Sequence, residues 1–139
     1  MTSYHGTSIQ IAVVLQNGKI DVNKGGGELG KGFYTGEHLW EAKAWAENRY
    51  NEKRNNVVEF DHNDNDIEKL DYKIIDQGSA CLHKYNIKRT SQTRSYTFGF
   101  DMIWAPIVGS DRANGDQYKW ESINSQNYLN STKVIKKLI

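Results

Sequence analysis

The stretch that decides the fold covers residues 27–50 and reads GELGKGFYTGEHLWEAKAWAENRY. Its first ten residues place four glycines around the aromatic pair Phe33 and Tyr34. Glycine loses more backbone entropy on folding than any other residue, so such a cluster indicates special backbone angles or a close approach by another group. The cluster runs without a break into a helical pattern over residues 37–50. A strand-like aromatic segment followed at once by a helix is the organising feature of this chain.

The helix is predicted from apolar side chains at helical spacing. Those side chains belong to Leu39, Ala42, Ala46 and Tyr50. Thr35 is a candidate N-cap, and acidic residues near the start suit the positive end of the helix dipole. Trp45 beside this face, and Trp104 further along, are predicted to lie in the core rather than to contact a cofactor.

The rest of the chain predicts more strands than helices. Residues 55–60 and 98–108 are rich in β-branched and aromatic residues and are predicted strands, and residues 72–76 form a weaker one. Residues 8–20 fit a strand by their Ile and Val content, and they fit a helix by their length and by an Asn-Gly pair that can end a helix. Residues 89–98 fit either a long loop or an edge strand. With the helices early, we expect an α+β domain with a mainly antiparallel sheet.

Length and charge restrict the classes of protein that the chain can belong to. The 139 residues suit one domain, residues 1–139. The net charge of +1, with histidines neutral, gives no basic footprint for nucleic acid. The single cysteine, Cys81, excludes an internal disulfide, and no activating partner for it is visible in the sequence.

Neither a membrane segment nor a metal site is expected. The first ten residues lack the charged and apolar regions of a signal peptide, and no apolar run approaches the ~20 residues of a membrane span. We therefore expect a cytoplasmic protein, or one exported without a classical signal. The Asp- and Asn-rich residues 61–71 lack the Gly and Glu of a calcium loop, and the histidines lack zinc-ligand spacing.

Several segments in a fixed order resemble the ADP-ribosyltransferase fold. They are Tyr-His-Gly-Thr at 4–7, Gly-Lys-Gly-Phe-Tyr-Thr at 30–35, the helix with Ala and Trp-Ala at 42–46, a strand and turn at 100–112, and a final segment at 126–138. The chain is similar to small prokaryotic members of the His-Tyr-Glu, diphtheria-toxin-like group. This resemblance spans nearly the whole chain and implies a split antiparallel β-sandwich with flanking helices.

The resemblance also implies which residues bind NAD. His5 hydrogen-bonds a ribose hydroxyl, and Gly6 offers backbone groups to the nicotinamide amide. Tyr34 stacks on the nicotinamide ring, whose planar cationic face matches an aromatic ring. Thr7 and Gly32 complete the NAD-binding set. The glycines then let the backbone come close to the dinucleotide.

The third motif departs from the pattern of the group. Its position, often a glutamate that grips the ribose beside the breaking bond, falls on Gln126, and Glu121 is the alternative acid. With Tyr34, these are the expected catalytic residues. A neutral Gln126 supplies only a dipole, so slower transfer, a different acceptor and a domain that binds without reacting all remain open. One of three arginines, Arg89, Arg94 or Arg112, is a candidate for the pyrophosphate.

The resemblance implies a mono-ADP-ribosyltransferase that consumes NAD as substrate. It would pass ADP-ribose to an unknown protein or nucleic-acid acceptor, as a toxin or phage-conflict protein, and a neutralising partner protein would go with that role. The alternative is a catalytically silent module on the same fold that binds NAD, ADP-ribose, another nucleotide or a protein. Gln126 in place of an acid favours the alternative.

Overall fold

The structure, a computed structural model, describes residues 1–110 and 112–139, and these residues form seven strands and five helices. The strands are β1 Thr2–Gly6, β2 Phe33–Gly36, β3 Val57–Asp61, β4 Tyr72–Ile74, β5 Met102–Pro106, β6 Asp116–Trp120 and β7 Ile135–Leu138. The helices are α1 Ile9–Gln16, α2 Leu39–Tyr50, α3 Asp64–Glu68, α4 Gln77–Arg89 and α5 Ile123–Asn130. None of the described helices is long and apolar enough to cross a membrane.

The contacts divide the chain into two compact units. The first comprises Met1–Ile20, Thr35–Lys69 and Asn127–Ile139, and the second comprises Asp21–Tyr34 and Leu70–Gln126. Each unit is therefore assembled from segments that are distant in the sequence.

The first unit is built on antiparallel strands. β1 pairs with β2 and with β3, and β3 pairs in turn with β7. The register places His5 opposite Val58, and Val58 also lies opposite Leu138 on the other side. Val58 and Phe60 on β3 are fully buried, as is Ala12 on α1. The core of this unit is therefore formed where α1 and the centre of the sheet bury their apolar side chains.

The second unit combines parallel and antiparallel pairing. β5 pairs in parallel with β4 and antiparallel with β6. Its buried apolar cluster consists of Leu29, Ile75, Ala80, Ile103 and Ala105. Ala80 lies on α4, whose N-cap Asp76 accepts a hydrogen bond from the backbone N–H of Ser79 at 2.8 Å.

The predicted helix over 37–50 is confirmed as α2, but its predicted start and buried face are wrong. Thr35 is buried within β2, and His38, in extended conformation and without a side-chain capping bond, is the N-cap. Only Ala46 of the helix is buried, whereas Trp45 is 59% exposed. The helix contacts its unit through small residues, so its large side chains point outward. Trp104, the other predicted core tryptophan, is half-buried on β5.

The predicted strands are confirmed as β3, β4 and β5, and the ambiguous residues 8–20 contain helix α1. Residues 89–98 hold the end of α4 and a loop, not an edge strand. The expectation that helices sit early is wrong, because α4 and α5 lie in the second half. The strand and turn expected over 100–112 includes Asp111, which lies outside the described residues. The mixture of helices and strands is compatible with the expected α+β class.

Candidate functional site

The first motif lies on β1 and just beyond its end. His5 is half-buried, and Gly6 is paired with Val57 on β3. Thr7 is buried, and its backbone N–H donates to the carbonyl oxygen of Asn56 at 2.8 Å. The motif is therefore held by backbone hydrogen bonds on the β3 side of the strand.

Gly6 is required by the packing of α2 against β1. A Cβ atom at this position would collide with the carbonyl oxygen of Ala42, which belongs to the helix backbone. Backbone cannot move aside as a flexible side chain can, so any larger residue must push the helix away from the strand. This contact accounts for the glycine without reference to a ligand.

The second motif ends in β2, the partner of β1. The two strands are antiparallel, with Tyr4 opposite Gly36 in the first unit. Paired strands therefore carry residues 4–6 of the first motif and residues 33–35 of the second, about thirty residues apart in the sequence. The sequence pattern alone contains no information on this pairing.

Tyr34 closes the glycine-rich loop of the second unit. Its hydroxyl donates to the carbonyl oxygen of Gly30 at 2.6 Å and accepts from the N–H of Leu29 at 3.2 Å. A Cβ atom on Gly27 would lie 2.8 Å from the phenol ring, so only glycine lets the loop cover that ring. Burial raises the pKa of Tyr34 well above its ordinary value. Gly30 has a φ of 96°, in the left-handed region that favours glycine.

Both carboxylate oxygens of Glu121 already have partners within the protein. Oε1 forms a buried ion pair with Nζ of Lys119 at 2.9 Å, and Oε2 accepts from the N–H groups of Phe98 and Gly99 at 2.8 and 2.9 Å. Burial lowers the pKa of Lys119, and the ion pair with Glu121 acts in the opposite direction. The pair anchors the loop at residues 96–99, because Nζ also donates to the carbonyl oxygen of Tyr96 at 3.2 Å.

Gly32 and Tyr34 lie in the same cluster as this ion pair. A Cβ atom on Gly32 would meet the side chain of Lys119 and the carbonyl oxygen of Trp120 at about 2.9 Å. The charge of Glu121 contributes to the raised pKa of Tyr34, although burial is the larger cause. The second unit therefore brings three predicted site residues together: Gly32, Tyr34 and Glu121.

Gln126 has a separate partner in the second unit. It lies on α5, and its Oε1 accepts a hydrogen bond from the backbone N–H of Val22 at 3.0 Å. Val22 is fully buried, so this bond satisfies a backbone donor that has left water. The side chain consequently has a structural role, and its carboxamide oxygen is already engaged.

A partly buried polar pair, Glu28 and Gln117, was missed from the sequence. Nε2 of Gln117 donates to Oε1 of Glu28 and, at 3.1 Å, to the carbonyl oxygen of Pro106. The N–H of Val108 also donates to Oε1 of Glu28, at 3.0 Å. The only available signal was an acid inside a glycine run, GGGELG, where neither helix nor strand requires one. Such a pair fixes the loop onto β5 and β6 within the second unit.

The three candidate arginines lie in different surroundings. Arg112 is exposed, and its backbone N–H donates to Oγ of Ser110 at 3.1 Å. The guanidinium of Arg94 donates to the carbonyl oxygen of Lys24 at 2.6 Å, while Arg89 lines an open cavity beside α4.

Among residues 1–110 and 112–139, no group of three His, Cys, Asp or Glu side chains is placed to hold a metal ion. Neither a known protein family nor a curated protein sequence matches this chain.

Proposed function

We propose that the chain is an NAD-dependent mono-ADP-ribosyltransferase that transfers ADP-ribose to a protein or nucleic-acid acceptor. Support comes from the pairing of β1 with β2, which makes neighbours of the strands that carry the first two motifs. In this proposal the transferase acts as a toxin or phage-conflict protein, and a neutralising protein protects its host.

The proposed reaction breaks the bond between the ribose C1′ and the nicotinamide nitrogen. Nicotinamide leaves as a neutral molecule with the bonding electron pair, and positive charge spreads over the ribose. The acceptor's nucleophilic atom then bonds to C1′ and loses its proton. In this proposal His5 orients the ribose and Tyr34 receives the leaving ring. Groups that stabilise the charged state more than bound NAD accelerate the reaction.

The third position is the weakest part of the proposed machinery. Glu121 has no free carboxylate oxygen, because Lys119, Phe98 and Gly99 use both. Gln126 is the group assigned to the ribose in this proposal, although its Oε1 already accepts a hydrogen bond from the N–H of Val22. Its carboxamide supplies a dipole where a glutamate would supply a full negative charge, so we expect slow turnover.

The second candidate function is a silent module that binds NAD or a related nucleotide. One observation favours it: the two side chains proposed for the third motif, Glu121 and Gln126, are each engaged within the second unit. A protein without an available acceptor group at this position would bind the dinucleotide without cleaving it.

Substitution of Gln126 separates the two candidates. Gln126→Glu retains an oxygen that can accept from Val22 at the observed position, so the fold should tolerate it. Proton NMR of each protein with NAD follows both broadening of ligand signals and appearance of free nicotinamide. Release by the parent supports the transferase. Binding without release by the parent, with release by Gln126→Glu, supports the silent module.

His5→Ala tests the NAD site itself. It leaves the backbone bonds of β1 in place and removes the proposed ribose contact, so broadening and release should both decrease. If the parent neither binds NAD nor releases nicotinamide, the transferase is wrong, and so is a silent module that binds NAD. Lys53→Ala, an exposed change elsewhere, is the matched control and should behave as the parent.

A further inference from the structure

Helix α4 forms one wall of an open cavity in the second unit. Its volume is about 430 Å³, within the range of roughly 300–1,000 Å³ that small-molecule sites occupy. The residues that line it are Cys81, Lys84, Tyr85, Lys88, Arg89 and Val108. Five of these six lie on α4 itself. The cavity is thus a surface of one helix closed by the segment after β5.

The cavity is strongly cationic. Three of its lining residues are Lys84, Lys88 and Arg89, and the 13 residues of α4 contain no Asp or Glu. Lys84 and Lys88 are four residues apart and therefore lie on the same face of the helix. Within residues 1–110 and 112–139, none of the three cationic groups has an ion-pair partner. Compensation of the helix dipole explains Lys88 and Arg89 in the last turn, but it requires neither Lys84 nor a cavity.

Glu28, an acid near Lys84 at this wall, already has partners of its own. Oε1 of Glu28 accepts from Val108 and Gln117, and Oε2 lies beside Gly109. Nζ of Lys84 is 4.0 Å from the place that a Cβ atom on Gly109 would occupy. The residues that line the cavity include three cations and no acid, so the lining carries a net positive charge.

An aromatic ring and a thiol complete the lining. Tyr85 is 64% exposed, which leaves its ring available for stacking. Cys81 carries an exposed free thiol one turn before it. Cations beside an exposed aromatic ring match a ligand with phosphoryl oxygens and a planar base.

We propose that the α4 cavity binds a nucleoside phosphate. Lys84, Lys88 and Arg89 donate to the phosphoryl oxygens, and the base stacks on Tyr85. The source is either a free nucleotide or a nucleotide within a nucleic-acid strand, since both present the same chemistry. The inference rests on the cavity alone and does not depend on the proposed transferase activity.

Cys81 provides a reporter inside the cavity. The full-length protein is treated with iodoacetamide, and alkylation is followed by mass spectrometry with ADP, adenosine, inorganic phosphate or a short single-stranded DNA present. Saturating ADP should slow alkylation severalfold, whereas adenosine should not. Protection by DNA but not by ADP supports the same phosphate chemistry and assigns the source to a strand. Equal rates with and without every phosphate ligand would refute the proposal.

Variants locate the ligand. Lys88→Ala should weaken ADP binding, measured by calorimetry, by about tenfold, because a charge-assisted hydrogen bond is lost. Lys53→Ala is the control and should bind as the parent. ADP binding that is unchanged in both Lys84→Ala and Lys88→Ala would overturn the assignment. His5→Ala should leave protection of Cys81 intact, so failure of the proposed NAD site and failure of this cavity give different results.

Discussion

The stability of the first unit should depend on pH through His62. This side chain is 3% exposed, and its ring lies between the hydroxyl of Tyr128, 2.9 Å from Nδ1, and Oγ of Ser3, 3.4 Å from Nε2. Burial, followed by the nearby N-terminal ammonium, lowers the pKa of His62 to about 4; Lys136 adds to this effect and Asp61 opposes it. The folded protein therefore holds the imidazole neutral at pH values where the unfolded chain protonates it.

The sign and size of the effect follow from linkage. Below the unfolded pKa of about 6.5, the unfolded chain binds a proton that folded His62 binds only near pH 4. Stability is therefore full above about pH 6.5 and falls as the pH decreases towards 4. A difference of about 2.5 pKa units corresponds to about 3 kcal/mol in all, of which about 2 kcal/mol is lost by pH 5.

The assay is urea unfolding followed by tryptophan fluorescence at pH 7.5 and pH 5. The control is His62→Gln, which keeps a polar side chain but does not titrate, so other groups cancel in the comparison. The parent should lose about 2 kcal/mol more than the variant between the two pH values. A difference below about 0.5 kcal/mol, or an imidazole NMR signal that titrates near pH 6.5 in the folded protein, would refute this reasoning.

Three further changes test the packing around the site, each by urea unfolding. Glu121→Gln should cost about 3 kcal/mol, because Lys119 keeps a buried charge without its counter-ion; a loss as small as that of an exposed acid would contradict the buried pair. Tyr34→Phe should cost about 1–2 kcal/mol through two lost hydrogen bonds and should speed proteolysis of the loop at 25–32, and unchanged proteolysis would argue against its closing role. Gly6→Ala should cost about 2 kcal/mol or more through its collision with the backbone of α2, and wild-type stability would disprove that contact.

Helices and strands with a strong apolar pattern could be predicted from the sequence, whereas those with a weak pattern could not. Residues 57–61 and 102–106 are strands with consecutive β-branched or apolar residues, and α2 has regular helical spacing. α4 was missed because Ala80 and Ile87 are its only buried residues, which leaves almost no apolar period. β1 was missed because its polar residues are stabilised by pairing on both sides, which depends on distant segments.

The site shows the same division. Sequence alone supplied the order of the motifs and the residue types: a histidine and glycine on one segment, a tyrosine within glycines on another, and a polar residue near the end. Only the tertiary structure decided which of these side chains already form hydrogen bonds or ion pairs within the protein. Glu121 accepts a hydrogen bond from the backbone N–H of Phe98, more than twenty residues away in the sequence. Gln126 accepts one from the backbone N–H of Val22, more than one hundred residues away.

The sequence by itself determined the elements with a strong local pattern, such as α2 and β5, since such patterns depend on neighbours within a few residues. It also shows glycine at Gly6 and Gly27, but not the packing that requires glycine there. The tertiary structure decided the reason, which is the approach of the Ala42 backbone to one and of the Tyr34 ring to the other. Contacts of this kind join residues that are distant in the sequence, and burial then determines the protonation and hydrogen bonding of those residues. A local sequence pattern therefore cannot predict them.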